Sequence, residues 1–122
     1  MLRVFSPAFF LVLVTLPLFV HAETRVAFVV GNSAYEHSSI LENPENDAQL
    51  LADTLRDLNF EVELLLNQPR AELGRALSEF LKTHAGSDVA LFYFAGHGMQ
   101  FDGENYLLPV DAKLSSEFDI AG

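Results

Sequence analysis

The chain has 122 residues, half of them hydrophobic, and carries 17 acidic against 7 basic residues, a formal net charge of −10 at pH 7. This length allows one small domain, and the acidic balance argues against nucleic acid or an anionic membrane surface as a partner. The chain contains no cysteine. This excludes a disulfide framework, a thiolate metal site and a cysteine nucleophile within these residues.

The first 22 residues have the composition of a secretory signal peptide. A short positive start precedes an apolar run from Phe9 to Val20, and Ala22 is a small residue of the kind that signal peptidase reads. We therefore predict cleavage after Ala22 and a mature domain over 23–122, secreted or periplasmic, with no stable membrane insertion. An uncleaved N-terminal anchor ranks second, because the segment is short for a membrane span and contains Pro17. A buried helix of the domain ranks third.

Hydrophobic periodicity in the remaining chain predicts alternating strands and helices. The order β-α-β-α-β with short connections favours a parallel sheet covered by helices, which is an α/β fold. Three strands make a thin domain, so we expect the sequence to stop before the fold does. The predicted elements are a strand over 25–30, a helix beginning at Asn43-Pro44 and ended by Asn59, a strand over 60–66, a helix restarting at Asn67-Gln-Pro69 and ending before Gly86, a strand over 89–95, and a hairpin with arms 99–101 and 104–108 around Asp102-Gly103.

His97 is the best candidate for chemistry. The apolar run from Val89 to Ala95 predicts a strand buried on both faces, and it ends in Gly96-His97-Gly98. The carboxyl edge of an open α/β sheet is where ligands bind, and an imidazole suits general acid–base chemistry near neutral pH. The amide of Gly98 could stabilise an oxyanion in the same space. The alternative is a histidine that only caps the strand end, but the two flanking glycines favour a functional role.

The other candidates are weaker. Asp47 is predicted in the first turn of its helix. It could simply stabilise the helix through the helix dipole, or it could form an anionic wall of a pocket, and the sequence leaves both interpretations open. His84 is predicted on an apolar helix face and is interpreted as structural, and His37 as a surface loop residue. No His or carboxylate pair has metal-ligand spacing, so we expect no zinc site and no cofactor. The sequence has neither a phosphate-binding glycine loop nor a Gly-x-Ser-x-Gly elbow.

Four motifs follow one another along the chain. They are Arg25-Val-Ala-Phe-Val-Val-Gly-Asn32, Leu41-Glu-Asn-Pro-Glu-Asn-Asp-Ala48, Ala90-Leu-Phe-Tyr-Phe-Ala-Gly-His-Gly98 and Gly103-Glu-Asn-Tyr-Leu-Leu-Pro-Val-Asp111. Together they resemble the caspase-like fold, and most closely bacterial caspase-family proteins, the prokaryotic relatives of metacaspases (clan CD cysteine peptidases). The resemblance covers 25–111 and implies a three-layer, Rossmann-like parallel sheet with flanking helices, incomplete at the C-terminus.

The resemblance implies a peptidase with a Cys–His dyad acting on a polypeptide. In it His97 matches the catalytic histidine, Gly98 the residue whose amide helps to form the oxyanion hole, and Asp47 the acid that selects Arg or Lys before the scissile bond. The family places its cysteine about 50 residues after the histidine, near position 147, whereas this sequence ends at Gly122. Without a nucleophile, the 122 residues are not expected to cleave peptide bonds by this mechanism.

Three hypotheses about function follow from the sequence. The first is the N-terminal portion of an exported caspase-like cysteine peptidase. The second is a non-catalytic caspase-like domain, a pseudo-enzyme that binds a partner peptide. The third is an unrelated α/β hydrolase in which His97-Gly98 forms an oxyanion loop, and this one is disfavoured because no serine elbow follows it.

Overall fold

The computed structural model describes residues 22–114, so the predictions for residues 1–21 and 115–122, including most of the predicted signal peptide, lie outside the described residues. In the described part, no helix is both long enough and apolar enough to cross a membrane. The elements are β1 (Arg25–Gly31), α1 (Pro44–Asp57), β2 (Glu61–Leu66), α2 (Arg70–Thr83), β3 (Val89–Ala95), β4 (Gly98–Phe101) and β5 (Glu104–Leu107).

The first three strands form a parallel sheet in the order β2-β1-β3, with β1 in the centre. Successive side chains of β1 point to opposite faces of the sheet. Phe28 lies in a cluster with Phe80 of α2, whereas Val29 lies in a cluster with Leu55 of α1. The helices therefore cover the two faces and the domain has three layers, as an α/β fold with a parallel sheet requires.

The burial of β3 differs from the prediction. The sequence predicted a strand buried on both faces, but β3 alternates in burial and its Phe92 is 52% exposed. The strand that is buried on both faces is β1, from Val26 to Gly31, and it has a paired strand on each side. Apolar composition shows which side chains tolerate burial, but it does not show how many strands will pair with a given strand. Within the described residues β3 pairs with β1 alone.

Both helices are capped at the N-terminus by residues distant in sequence. Asn43 precedes α1 as predicted, but its side chain makes no capping hydrogen bond. Instead, the N–H of Glu45 donates to Oγ of Ser33 at 3.1 Å. At the start of α2, the N–H of Arg70 donates to Oδ1 of Asp111 at 2.9 Å. The unpaired N–H groups of a helix's first turn can donate to any well-placed oxygen. These two contacts therefore fix the loops that carry Ser33 and Asp111 to the helices.

Gly31 brings the start of α1 against the end of β1. A Cβ atom at Gly31 would lie 2.5 Å from the carbonyl oxygen of Pro44 and 2.7 Å from Cβ of Ala48. Only a residue without a side chain permits this approach. The first turn of α1 is therefore held at the carboxyl edge of the sheet, which is also the edge where β3 ends.

Candidate active site

The carboxyl ends of β1 and β3 lie side by side. Gly31 is opposite Ala95 in the parallel register, and the N–H of Asn32 donates to the carbonyl oxygen of Ala95 at 2.9 Å. The loop that follows β1 (residues 32–43, the β1–α1 loop) and the turn at Gly96-His97 therefore leave the sheet from neighbouring positions. Two segments more than 50 residues apart in sequence meet at one edge, where an open α/β sheet places its ligands.

The imidazole of His97 lies at this edge, half-buried, and not in either core cluster. Its Nε2 atom is 2.7 Å from the backbone carbonyl oxygen of Ser39 in the β1–α1 loop. A carbonyl oxygen can only accept a hydrogen bond, so Nε2 carries the proton. In the neutral ring Nδ1 then carries the lone pair, which makes it the atom able to act as a base.

Asn67 holds the start of the β1–α1 loop. It follows β2 in the left-handed conformation, with φ of 53°, which asparagine tolerates better than most residues. Its Oδ1 accepts the N–H groups of Ser33 and Ala34, both at 2.9 Å, and its Nδ2 donates to Oε1 of Glu45. One side chain thus joins the ends of β1 and β2 to the first turn of α1.

Asn32 is a fully buried polar residue at the same edge. Its Oδ1 accepts the N–H of Gln68 at 3.0 Å, and its Nδ2 donates to the carbonyl oxygen of Leu108 at 3.4 Å. Burying a side-chain amide without hydrogen-bond partners would cost free energy. The amide of Asn32 has both partners, and its two bonds connect β1 to the end of β2 and to the end of β5. Sequence reasoning missed the roles of Asn32 and Asn67; the available signal was an asparagine placed directly after each of two apolar strands.

Tyr35 is the residue of the β1–α1 loop that contacts the histidine turn. Its side chain is buried, its hydroxyl accepts the N–H of His97 at 2.8 Å, and it donates to the carbonyl oxygen of Leu108 at 2.9 Å. Its ring lies against the imidazole, with centroids 4.5 Å apart. Burial raises the pKa of Tyr35 above 10.0, and hydrogen bonds with His97 and Asn32 oppose that rise, so the hydroxyl keeps its proton at neutral pH. The sequence alone gave no reason to select Tyr35.

Gly98 opens the hairpin that follows the histidine. It is the first residue of β4 and lies opposite Leu107 of β5 in the antiparallel register. One step before it, the N–H of Leu108 donates to the carbonyl oxygen of His97 at 2.9 Å, which makes that pair the hydrogen-bonded kind. Hydrogen-bonded and non-hydrogen-bonded pairs alternate along an antiparallel ladder, so the N–H of Gly98 points away from β5.

The hairpin turn itself is the one predicted. Asp102 and Gly103 have φ of 49° and 79°, the pair of positive values that a two-residue type I′ turn requires.

Asp47 lies in the first turn of α1 and is exposed. It directly precedes Ala48, which packs against Gly31, so it belongs to the same sheet edge as His97. Its carboxylate makes no hydrogen bond or ion pair within residues 22–114, whereas the neighbouring acid Glu45 is bonded to Asn67. Of the two acids in this turn, Asp47 is therefore the one free to meet a ligand.

The remaining histidines lie elsewhere in the fold. His84 follows α2 and packs its ring 4.7 Å from that of Phe80. His37 is exposed, and its Nε2 lies 3.8 Å from the carboxylate of Glu36. Within residues 22–114, no three His, Asp or Glu side chains converge on a common point that could hold a metal ion.

A family model described as the caspase domain, peptidase family C14, matches residues 24–121. The chain belongs to the caspase-domain family. It is 36% identical over 91 residues to the human protein called mucosa-associated lymphoid tissue lymphoma translocation protein 1, and equally to its mouse homologue. The match covers 75% of this chain but only 11% of each of those proteins.

Two predictions are confirmed by these findings. The resemblance to caspase-family peptidases drawn from four motifs is correct, since the family match runs through all of them. The caspase-like α/β fold is also correct, since the described residues form a three-stranded parallel sheet with a helix on each face. His97, Gly98 and the Ser39 carbonyl come together in this caspase-like domain, and Asp47 stands on the same edge.

Proposed function

We propose that this caspase-like domain is the histidine-bearing part of a cysteine-type endopeptidase. In this proposal His97 exchanges protons with a thiol that lies outside the 122 residues. The observation that carries it is the bond from Nε2 of His97 to the carbonyl oxygen of Ser39 at 2.7 Å. This bond fixes the tautomer that leaves Nδ1 as the basic atom, at the sheet edge where a substrate can reach it.

The chemistry follows from these atoms. Nδ1 of His97 takes the proton of the thiol, and the thiolate attacks the carbonyl carbon of the scissile peptide. Negative charge develops on the carbonyl oxygen, where the outward-pointing N–H of Gly98 is placed to donate a hydrogen bond. The imidazolium then gives its proton to the leaving amine, and a thioester remains. Water, deprotonated in turn by Nδ1, attacks the thioester and restores the thiol.

The 122 residues contain no cysteine, and this leads to a direct test of their cleavage activity. The 122 residues alone are expected to show no thiol-dependent cleavage, because a general base without a nucleophile forms no covalent intermediate. Reading the coding sequence beyond Gly122 tests the source of the thiol. A strand end of the Asp-Ala-Cys kind about 50 residues after His97, in frame or after a frameshift, supports the proposal.

We further propose that Asp47 binds a basic side chain before the scissile bond. Its carboxylate is exposed and unbonded within the described residues, and it stands at the first turn of α1 on the catalytic edge. A carboxylate in that state can pair with an arginine or lysine of the substrate. The acidic net charge of the chain would draw such substrates toward the site.

Replacing Asp47 with alanine is expected to weaken this selection. In a polypeptide that includes the thiol, kcat/KM for substrates with arginine at that position should fall about 10- to 100-fold, which matches the loss of one charge-assisted hydrogen bond. The measurement is a fluorogenic peptide series that varies this position alone.

The matched control is Asp57→Ala. It removes the same charge from the same helix, ten residues further along and so about 15 Å away along its axis. Asp57→Ala should leave the ratio of kcat/KM values between basic and neutral substrates unchanged. An unchanged ratio in Asp47→Ala would remove Asp47 from the pocket.

A second candidate function is a non-catalytic domain that binds a partner peptide, since such binding needs no cysteine nucleophile. The two candidates differ in what the coding sequence contains. A stop after Gly122, followed by unrelated sequence, would support the binding domain.

For either function we propose an exported protein. Sequencing the N-terminus of the secreted or periplasmic material should find Glu23 as its first residue, and an intact Met1 would contradict cleavage after Ala22.

A further inference from the structure

The Tyr35 hydroxyl occupies an unusual place in the backbone ladder. His97 and Leu108 continue the antiparallel register of β4 and β5 by one step, and a hydrogen-bonded pair of this kind normally exchanges two backbone bonds. Only one is direct, from the N–H of Leu108 to the oxygen of His97 at 2.9 Å. In place of the second, the N–H of His97 donates to the hydroxyl, and the hydroxyl donates to the oxygen of Leu108.

We propose that Tyr35 is a positioning residue for His97: its hydroxyl holds the first pair of the hairpin half open and so keeps the imidazole directed at Ser39. The importance of His97 for activity rests on the proposed function. The proposal about Tyr35 concerns only the orientation of the imidazole ring. The hydroxyl acts as a spacer of one oxygen atom between two groups that would otherwise bond directly.

Gly96 is a second observation that supports the role of the hydroxyl. A Cβ atom at Gly96 would collide with the hydroxyl oxygen of Tyr35, and would also lie 2.9 Å from Cζ of Phe94. The glycine before the histidine therefore leaves room for the spacer. The φ angle of Gly96 is not among the positive values, so space, and not backbone conformation, requires glycine here.

Removing the spacer has a definite consequence for the histidine. Without the hydroxyl, the N–H of His97 can bond directly to the oxygen of Leu108, and the hairpin closes by one more pair. This closure draws the His97 backbone toward β5. The imidazole then leaves the carbonyl oxygen of Ser39, and Nε2 is no longer fixed as the protonated nitrogen. The phenylalanine ring still fills the space of the tyrosine ring, so the core remains packed.

The experiment is nitrogen-15 NMR of the His97 imidazole in the whole chain at a pH where the ring is neutral. In the unaltered protein we expect the Nε2–H tautomer alone. In Tyr35→Phe we expect a mixture of both tautomers and exchange of the Nε2 proton with water about tenfold faster or more, as follows when a protecting hydrogen bond is lost. A single Nδ1–H tautomer in the unaltered protein, or an unchanged Nε2–H signal in Tyr35→Phe, would overturn the proposal.

The matched control is Tyr93→Phe. Tyr93 lies on β3 and packs on the α1 side of the sheet, and its hydroxyl bonds to no residue in the described part of the chain. This variant removes a tyrosine hydroxyl from the same domain without touching the histidine turn. It should leave the His97 signals unchanged, and an equal change in both variants would show a general loosening of the fold instead.

Gly96→Ala provides a second, independent variant. Its methyl group should displace the hydroxyl and give the same tautomer mixture as Tyr35→Phe. In the double variant the methyl group enters space that the hydroxyl has left. The loss of unfolding free energy in the double variant should therefore be smaller than the sum of the losses in the two single variants. Strict additivity would show that the two sites do not share this space.

An activity measurement separates this inference from the proposed function. In a thiol-containing polypeptide, Tyr35→Phe should lower kcat about 10- to 100-fold with KM nearly unchanged, the loss expected for a misdirected base. If the NMR change appears but His97 proves dispensable for cleavage, the positioning role stands and the peptidase proposal fails. If His97 is essential but its tautomer does not depend on Tyr35, the opposite holds.

Discussion

Replacing His97 with alanine is expected to reduce peptide cleavage by about 10⁴-fold or more in a polypeptide that contains this domain and its thiol. The reason is that, in the proposed mechanism, one imidazole performs every proton transfer: from the thiol, to the leaving amine and from the attacking water. The measurement is kcat/KM on small fluorogenic peptides that end in arginine or lysine before the scissile bond.

The control for this prediction is His84→Ala. His84 is also a partly buried histidine, but it lies against Phe80 at the end of α2 and away from the sheet edge. That variant should keep its turnover per folded molecule even where its stability falls. Retained turnover in His97→Ala would refute the assigned role, and the non-catalytic domain would then become the better interpretation.

The second large effect is expected from Gly31→Ala, which should destabilise the domain by about 2–4 kcal/mol. The added methyl group would lie 2.5 Å from the carbonyl oxygen of Pro44 and 2.7 Å from Cβ of Ala48. Neither atom is the end of a flexible side chain, so α1 must move away from β1 as a unit. The measurement is the free energy of unfolding by urea, followed by circular dichroism.

Gly74→Ala is the matched control for this substitution. Gly74 lies within α2, and a Cβ atom there would meet nothing within 4 Å. Alanine is the better helix former, so the variant should be more stable by about 0.5–1 kcal/mol. A Gly31→Ala variant that unfolds at the same urea concentration as the unaltered protein would contradict the close approach of α1 to β1.

The first turn of α1 connects stability to the site. It carries Asp47, and Glu45 in the same turn is bonded to Asn67 and Ser33. A displaced α1 would therefore disturb the proposed substrate pocket and the β1–α1 loop together. For this reason Gly31 supports the candidate site through the position of α1.

Much of the fold could be predicted from the sequence because its signals are local. The apolar strands, the Pro44 helix start and the Asp102-Gly103 turn each depend on the conformational preferences of a few adjacent residues. The burial of helix residues is harder to predict, since Leu81 lies in α2 four residues after Leu77 and yet is 52% exposed. Periodicity gives the direction of a side chain from its helix, but it does not say how far the neighbouring sheet extends.

The support of the candidate site could not be predicted, because its contacts join residues far apart in the chain. Tyr35 reaches Leu108 across 73 residues, and Asn32 reaches the same carbonyl group. Single asparagines and a single tyrosine occur in most loops, so their types carry no signal until the sheet brings strand ends together. The helix caps show the same effect, since Ser33 caps α1 in place of the adjacent Asn43, and Asp111 caps α2 from 41 residues further along the chain.

The sequence by itself determined the family and the order of the elements, and it singled out His97 as the candidate histidine, since each depends on residue types in a short stretch. The tertiary structure decided which nitrogen of that histidine is free, because the Ser39 carbonyl that binds Nε2 comes from a loop 58 residues earlier. It also decided that a tyrosine hydroxyl stands between His97 and Leu108. Hydrogen bonds depend on distances of a few tenths of an ångström, and only the folded chain sets distances between segments so far apart.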